Sequence, residues 1–293
     1  MTITYEYDQG GNILNKKIHP YSGTETLQEA IDTKIYQYEN TEWKDQLTTY
    51  NNKLITYDAI GNPLTYDGNT YSWQNGRQLA GITNEEKGQT ITYKYNDNGI
   101  RTEKTVNETT TTYYLSGSKV IYEKTGDNVI YYSYDEAGSV IGLNYNGEQY
   151  YYKKNLQGDI IGILDSSLNQ IAKYNYDAWG KVISIIDSEG NTIEDQTHIA
   201  NINPYRYRGY RYDSETELYY LQSRYYSPEW GRFINVDGIV DNNQGIFAYN
   251  MYTYCNNNPI MYTDKNGKFI QIGIAIGITV LTVRNRNRNK FIY

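Results

Sequence analysis

The stretch Ala172-Lys173-Tyr174-Asn175-Tyr176-Asp177-Ala178-Trp179-Gly180-Lys181-Val182-Ile183-Ser184-Ile185-Ile186 decides the fold. Ala172, Tyr174 and Tyr176 fall on one side of an extended chain, and Lys173 and Asn175 on the other. That period of two is the mark of a strand with one buried face. Asp177 then offers a carboxylate to the backbone two residues on and starts a turn. Gly180 supplies the positive φ that such a hairpin loop needs. A second run, Val182 to Ile186, leaves the turn. The predicted unit is a β-hairpin.

The same unit recurs along the chain as Tyr-x-Tyr-Asp-x-x-Gly-Asn. Copies stand at Tyr5-Glu6-Tyr7-Asp8 with Gly11 and Asn12, at Tyr57-Asp58 with Gly61 and Asn62, at Tyr93 to Gly99, and at Tyr132 to Gly138. Weaker copies stand at Tyr152 to Gly158 and at Trp73 to Gly76. Ile91, Tyr93 and Tyr95 share a predicted buried face, as do Ile130, Tyr132 and Tyr134. Neighbouring hairpins are expected to pair edge to edge into one long, curved sheet. Asp58 and Asp135 read as turn residues. Nothing brings them together as a glycosidase pair, and the turns lack the EF-hand loop pattern for calcium.

Composition agrees with this reading. The chain has 293 residues, of which 36 are Tyr and only 8 are Phe or Trp. Tyr, Thr, Ile and Val suit pleated strands. The scarcity of helix formers excludes a helical bundle or an alternating α/β enzyme fold. A core this rich in phenols requires a hydrogen-bond partner for each buried hydroxyl. Net charge is −7, from 27 basic and 34 acidic residues, which disfavours nucleic acid as a partner of the body of the chain. One cysteine, Cys255, permits no internal disulfide and reads as a packed residue. With His19 and His198 the only histidines, zinc sites and Ser-His or Cys-His catalysis lack raw material, and no cofactor is expected. The N-terminus Met1-Thr2-Ile3-Thr4-Tyr5 has no basic start and no apolar core, so it reads as strand and not as a secretory signal.

The repeat resembles the YD repeat of the Rhs family, which includes polymorphic toxins, C subunits of Tc toxins, wall-associated proteins and teneurins. A longer segment carries the resemblance further. It runs Tyr205-Arg-Tyr-Arg-Gly-Tyr-Arg-Tyr-Asp213, then Glu215-Thr-Glu217-Leu-Tyr-Tyr220, Arg224-Tyr-Tyr226, Pro228 and Gly231-Arg-Phe233, and ends at Asp237. It looks like the Rhs-associated core, with Glu217 where Gly is usual. Asn256-Asn-Asn258-Pro259 and Asp264-Lys-Asn-Gly267 look like its closing element. The resemblance implies an all-β fold in which YD hairpins spiral into part of a hollow shell closed by the core. It divides the chain into a YD shell over 1–200, a core over 201–268 and an apolar, basic tail over 269–293.

The resemblance also implies an aspartyl-type self-protease that cuts after the core. Such chemistry needs two carboxylates in one site, one protonated and one ionised. The family's arginine falls on Arg224 and its aspartates on Asp237 and Asp264, with the cut near Gly267 and Lys268. Gly238 and Lys265 stand where the family usually has Pro, and Gly238 to Phe247 is long for this linker. A structural Arg224–Asp237 ion pair is the alternative reading.

The tail, Phe269 to Val283, is apolar, and Arg284, Arg286, Arg288 and Lys290 follow. As a helix it is about 22 Å long, short of a ~30 Å hydrocarbon core. Read as a strand, it lines up Ile270, Ile272, Ile274, Ile276 and Ile278. Periodicity leaves both readings open, and membrane contact with them. The 25 residues after Lys268 do not hold a toxin domain. The expected molecule is a C-terminal shell fragment that encapsulates or displays an effector, with an upstream shell segment or partner chain and a C-terminal toxin in full-length relatives. A cell-surface or carbohydrate-binding module without catalysis is the alternative, with a surface glycan as partner. By resemblance the location is secreted or cell-surface, otherwise cytoplasmic.

Overall fold

The computed structural model describes residues 2–23, 26–238 and 250–268, and the backbone of 271–272 and 290–292. Eighteen strands from Thr2–Tyr7 to Val182–Ile186 form one antiparallel meander, each pairing with the next. Lys290–Ile292 pairs with the outer side of the first strand. A second sheet of four short strands, Arg211–Asp213, Leu218–Tyr220, Tyr225–Ser227 and Arg232–Phe233, is built by the core segment, the stretch whose sequence resembles the Rhs-associated core. A short helix, Ile199–Ile202, leads into it. The architecture is all-β, as the sequence predicts, and the long sheet is not closed on itself by strand pairing.

The hairpin logic is visible at each YD turn. Asp177 Oδ1 accepts the backbone N–H of Trp179 and of Lys181, both at 2.9 Å. Gly180 has φ 87°, and a Cβ there would lie 2.4 Å from the Tyr207 ring. Conformation and space both demand glycine. In Gln89–Tyr95 the faces alternate as expected, with Ile91 and Tyr93 buried and Thr92 and Lys94 exposed.

In four units the last ring reaches back to the preceding strand. Tyr95, Tyr134 and Tyr176 donate their hydroxyls to the carbonyls of Leu79, Val120 and Ile160, each at 2.8 Å. Trp73 does the same with its indole N–H to Pro63 O at 2.7 Å. The expectation that every buried phenol finds such a partner fails at Tyr93 and Tyr132, whose hydroxyls have none among the described residues. Their rings instead flank the Arg101 and Arg211 guanidiniums, at 5.3 and 5.8 Å. The favourable contact there is with the ring face.

The core segment lies against the buried face of the sheet and splits the interior in two. Buried residues from Tyr207 to Ile234, with Tyr254 and Cys255, pack with the first nine strands. Ile199, Ala200 and Tyr205 pack with the later ones. The linker from 239 to 249 and most of the tail, including the helix-or-strand question over Phe269–Val283, fall outside the described residues. Gln271–Ile272 is strand, paired with Tyr262–Thr263. Among the described residues no helix is long and apolar enough to cross a membrane.

Candidate functional site

Arg224 lies just before the strand Tyr225–Ser227, with its guanidinium over the Phe233 ring at 3.5 Å. That stacking and the buried Tyr226 behind it fix the side chain in the interior. Asp237 follows the strand Arg232–Phe233 and is anchored by its own N–H to Met251 O at 3.0 Å. Asp264 opens a tight turn whose Gly267 has φ 72°. A Cβ on Gly267 would meet Ser223 Oγ at 2.6 Å, so the turn is moulded onto the segment that carries Arg224.

These elements bring the sequence-predicted residues into one place. Arg224 Nη2 is 3.0 Å from Asp237 Oδ2 and 3.2 Å from Asp264 Oδ2. Arg224 Nε donates to Gly267 O at 2.5 Å. The Lys268 backbone N–H donates to Asp264 Oδ1 at 3.1 Å. The Gly267–Lys268 peptide is thus held at its oxygen by the arginine and at its nitrogen by an aspartate. Two residues the motifs did not single out complete the cradle. Ser223 Oγ donates to Asn266 O at 2.7 Å, and the Asp264 N–H donates to Tyr210 Oη at 3.1 Å.

The two aspartates sit in different surroundings. Asp264 is 1 % exposed, whereas the Asp237 side chain is 18 % exposed. Burial pushes the Asp264 carboxyl up, and Arg224 and the backbone N–H groups of Asn266 and Lys268 pull it only part of the way back. Burial likewise lowers Arg224, against the two carboxylates that favour its charge. Arginine remains a cation across that range. Cys255 is fully buried, and burial pushes its thiol far above the usual cysteine range, so it holds no thiolate for nucleophilic work. A cavity of about 90 Å³ lined by Arg101, Tyr210, Arg211, Gln222 and Lys265 adjoins the site, room for water. Among the described residues no group of three His, Cys, Asp or Glu side chains is placed to hold a metal.

No family model matches the chain. Individual proteins do. The tRNA3(Ser)-specific nuclease WapA of Bacillus spizizenii is 38% identical over 239 residues, covering 80% of this chain and 10% of that protein. The toxin subunit YenC1 of Yersinia entomophaga is 25% identical over 294 residues, 90% of this chain and 28% of that protein. The chain belongs to the Rhs family of YD-repeat proteins. It spans about a tenth of the length of the WapA relatives.

Solved structures of Tc toxin components share the fold. The TcdB2–TccC3–TEV crystal structure superposes with a TM-score of 0.60 at 22% identity, over 90% of this chain and 15% of that one. The Photorhabdus luminescens Tc holotoxin pore gives 0.57 at 19%, over 95% of this chain and 17% of that one. Family relatives are wall-associated proteins and toxin components, which fits a secreted or cell-surface setting.

Proposed function

We propose that this chain is the closing part of an Rhs shell, enclosing or displaying a C-terminal effector, and that it cuts itself between Gly267 and Lys268. In this reading residues 1–200 are shell, 201–268 the core and 269–293 the tail. The observation that carries it is the Gly267–Lys268 peptide held between Arg224 and Asp264.

The chemistry follows from the surroundings. Asp237, the more exposed carboxylate, takes a proton from a water that attacks the Gly267 carbonyl carbon. The charge that develops on the carbonyl oxygen falls on Arg224 Nε–H, already in place. Asp264, whose carboxyl is pushed up by burial, is the acid that protonates the departing Lys268 nitrogen. The carbon–nitrogen bond breaks, leaving a Gly267 carboxylate and a Lys268 ammonium.

The carbohydrate-binding alternative draws least support from the exposed rings. Tyr114 and Tyr122 stack on each other at 4.0 Å and 9°, with Tyr131 next in the row at 5.2 Å. Faces engaged with one another are not a platform for a sugar.

The test is the intact mass of freshly purified protein beside Asp237→Asn and Asp264→Asn. The expected outcome is a wild-type chain ending at Gly267 and both variants whole. A full-length 34.1 kDa chain in every sample would sink self-cleavage and leave a passive shell.

A further inference from the structure

Tyr210 is 5 % exposed, and no catalytic motif includes it. Its hydroxyl oxygen receives the Asp264 backbone N–H at 3.1 Å and lies 3.0 Å from Thr263 Oγ1 and 3.1 Å from Tyr254 Oη. A phenol has one proton to give and two lone pairs to receive. With one lone pair taken by Asp264, its proton goes to Thr263 or Tyr254, and the hydroxyl is committed on every side. The ring is itself wedged edge-on against Tyr207 and Tyr219, with centroids 6.3 and 6.2 Å away.

We propose that Tyr210 is the positioning residue of Asp264, fixing through the Asp264 N–H the peptide unit from which that carboxyl reaches both the Lys268 nitrogen and Arg224. The other bonds to Asp264 do not do this. Asn266 and Lys268 belong to the same turn and move with it. Arg224 is shared with Asp237. Tyr210 ties the first residue of the turn to an aromatic stack outside the turn. The catalytic meaning of this role rests on the self-cleavage proposed above, whereas the structural role does not. The ionisable groups facing Asp264 are Arg224, the Cys255 thiol and the Tyr210 phenol, with Tyr254 behind the phenol and Asp237 across Arg224.

Tyr210→Phe keeps the ring and removes the oxygen. Tyr219→Phe is the control, since it removes an equally buried bond, Tyr219 Oη to Gly180 O at 2.8 Å, that does not touch Asp264. Both variants are expected to melt somewhat lower. Only Tyr210→Phe is expected to slow appearance of the cut chain, by about tenfold or more, and to move the alkaline limb of the rate profile upward, since that limb reports loss of the Asp264 proton. A readout independent of cleavage uses the Asp237→Asn background, which stays whole under the proposed chemistry. There, carbon-13 carboxyl NMR follows the titration of Asp264. Adding Tyr210→Phe is expected to raise its midpoint, because the carboxyl withdraws from Arg224 and the two turn N–H groups. An unchanged midpoint, or equal slowing by Tyr219→Phe, overturns the inference. If the wild-type chain stays whole, self-cleavage alone fails, and the Asp264 midpoint still decides Tyr210.

Discussion

Glu217 stands where the core pattern that this sequence resembles has Gly. Its φ is 57°, in the left-handed region. A side chain costs roughly 1–2 kcal/mol there, offset in part by the freedom glycine adds to the unfolded chain. Glu217→Gly is therefore expected to raise stability by about 0.5 kcal/mol in urea denaturation, and an unchanged midpoint would refute the strain. At this scale much was legible beforehand. Asp177 and Gly180 act within a few residues of themselves, so their turn shows in the string of letters. Tyr210 acts through one oxygen on a backbone 54 residues away, and no spacing announces that. Arg224, Asp237 and Asp264 were found only through resemblance, because 40 residues separate the arginine from its second carboxylate.

Between elements, the sheet and the core segment are joined by buried charge. Arg101, at the start of the strand Arg101–Val106, makes a two-pronged pair with Asp213, at 2.5 and 3.0 Å. Lys104 Nζ stands 3.3 Å away, and the Arg101 guanidinium lies 4.4 Å from the Tyr220 ring centroid. Burial alone would push the Asp213 carboxyl up. Arg101 and Lys104 overcome it and hold the group down at about 2. A carboxyl depressed in the folded state adds stability above its unfolded value, near 4, and loses it as pH falls through the folded one. Stability is thus expected to drop by on the order of 2 kcal/mol between about pH 4 and pH 2, followed by acid titration of the Tyr fluorescence. Asp213→Asn should flatten that drop. It should also lower stability at neutral pH by roughly 3 kcal/mol or more, because Arg101 is left buried without its counter-charge. An identical acid profile in the variant would remove the pair from this role. Sequence reading could not pair these residues, since 112 positions separate them.

Across the whole molecule, the first hairpin and the last long one meet through side chains. Lys16 Nζ lies 3.1 Å from Asp177 Oδ2, both side chains nearly buried. Tyr5 packs on Trp179 at 5.7 Å, and Tyr226 donates to Trp179 O at 2.7 Å. Trp179 is 1 % exposed and touches both ends of the sheet and the core at once. Trp179→Ala is expected to cost about 3–5 kcal/mol. Hydrogen exchange should then show the first hairpin and the turn at 177–181 opening together. Protection lost in only one of them would mean that the seam is not a single unit.

The meander and this seam impose an order on folding. Each strand pairs with its immediate neighbour in sequence, so the hairpins close small loops and form quickly. The bonds from Asn250 to Asn12 and from Asn257 to Gly11 span 238 and 246 residues. A chain emerging from the ribosome therefore builds its sheet hairpin by hairpin, while the buried face stays uncovered until residues 205 to 264 arrive. Until then this stretch is an open ribbon of wet tyrosines, which makes the interval before the core segment docks the time when chaperones have access to that face.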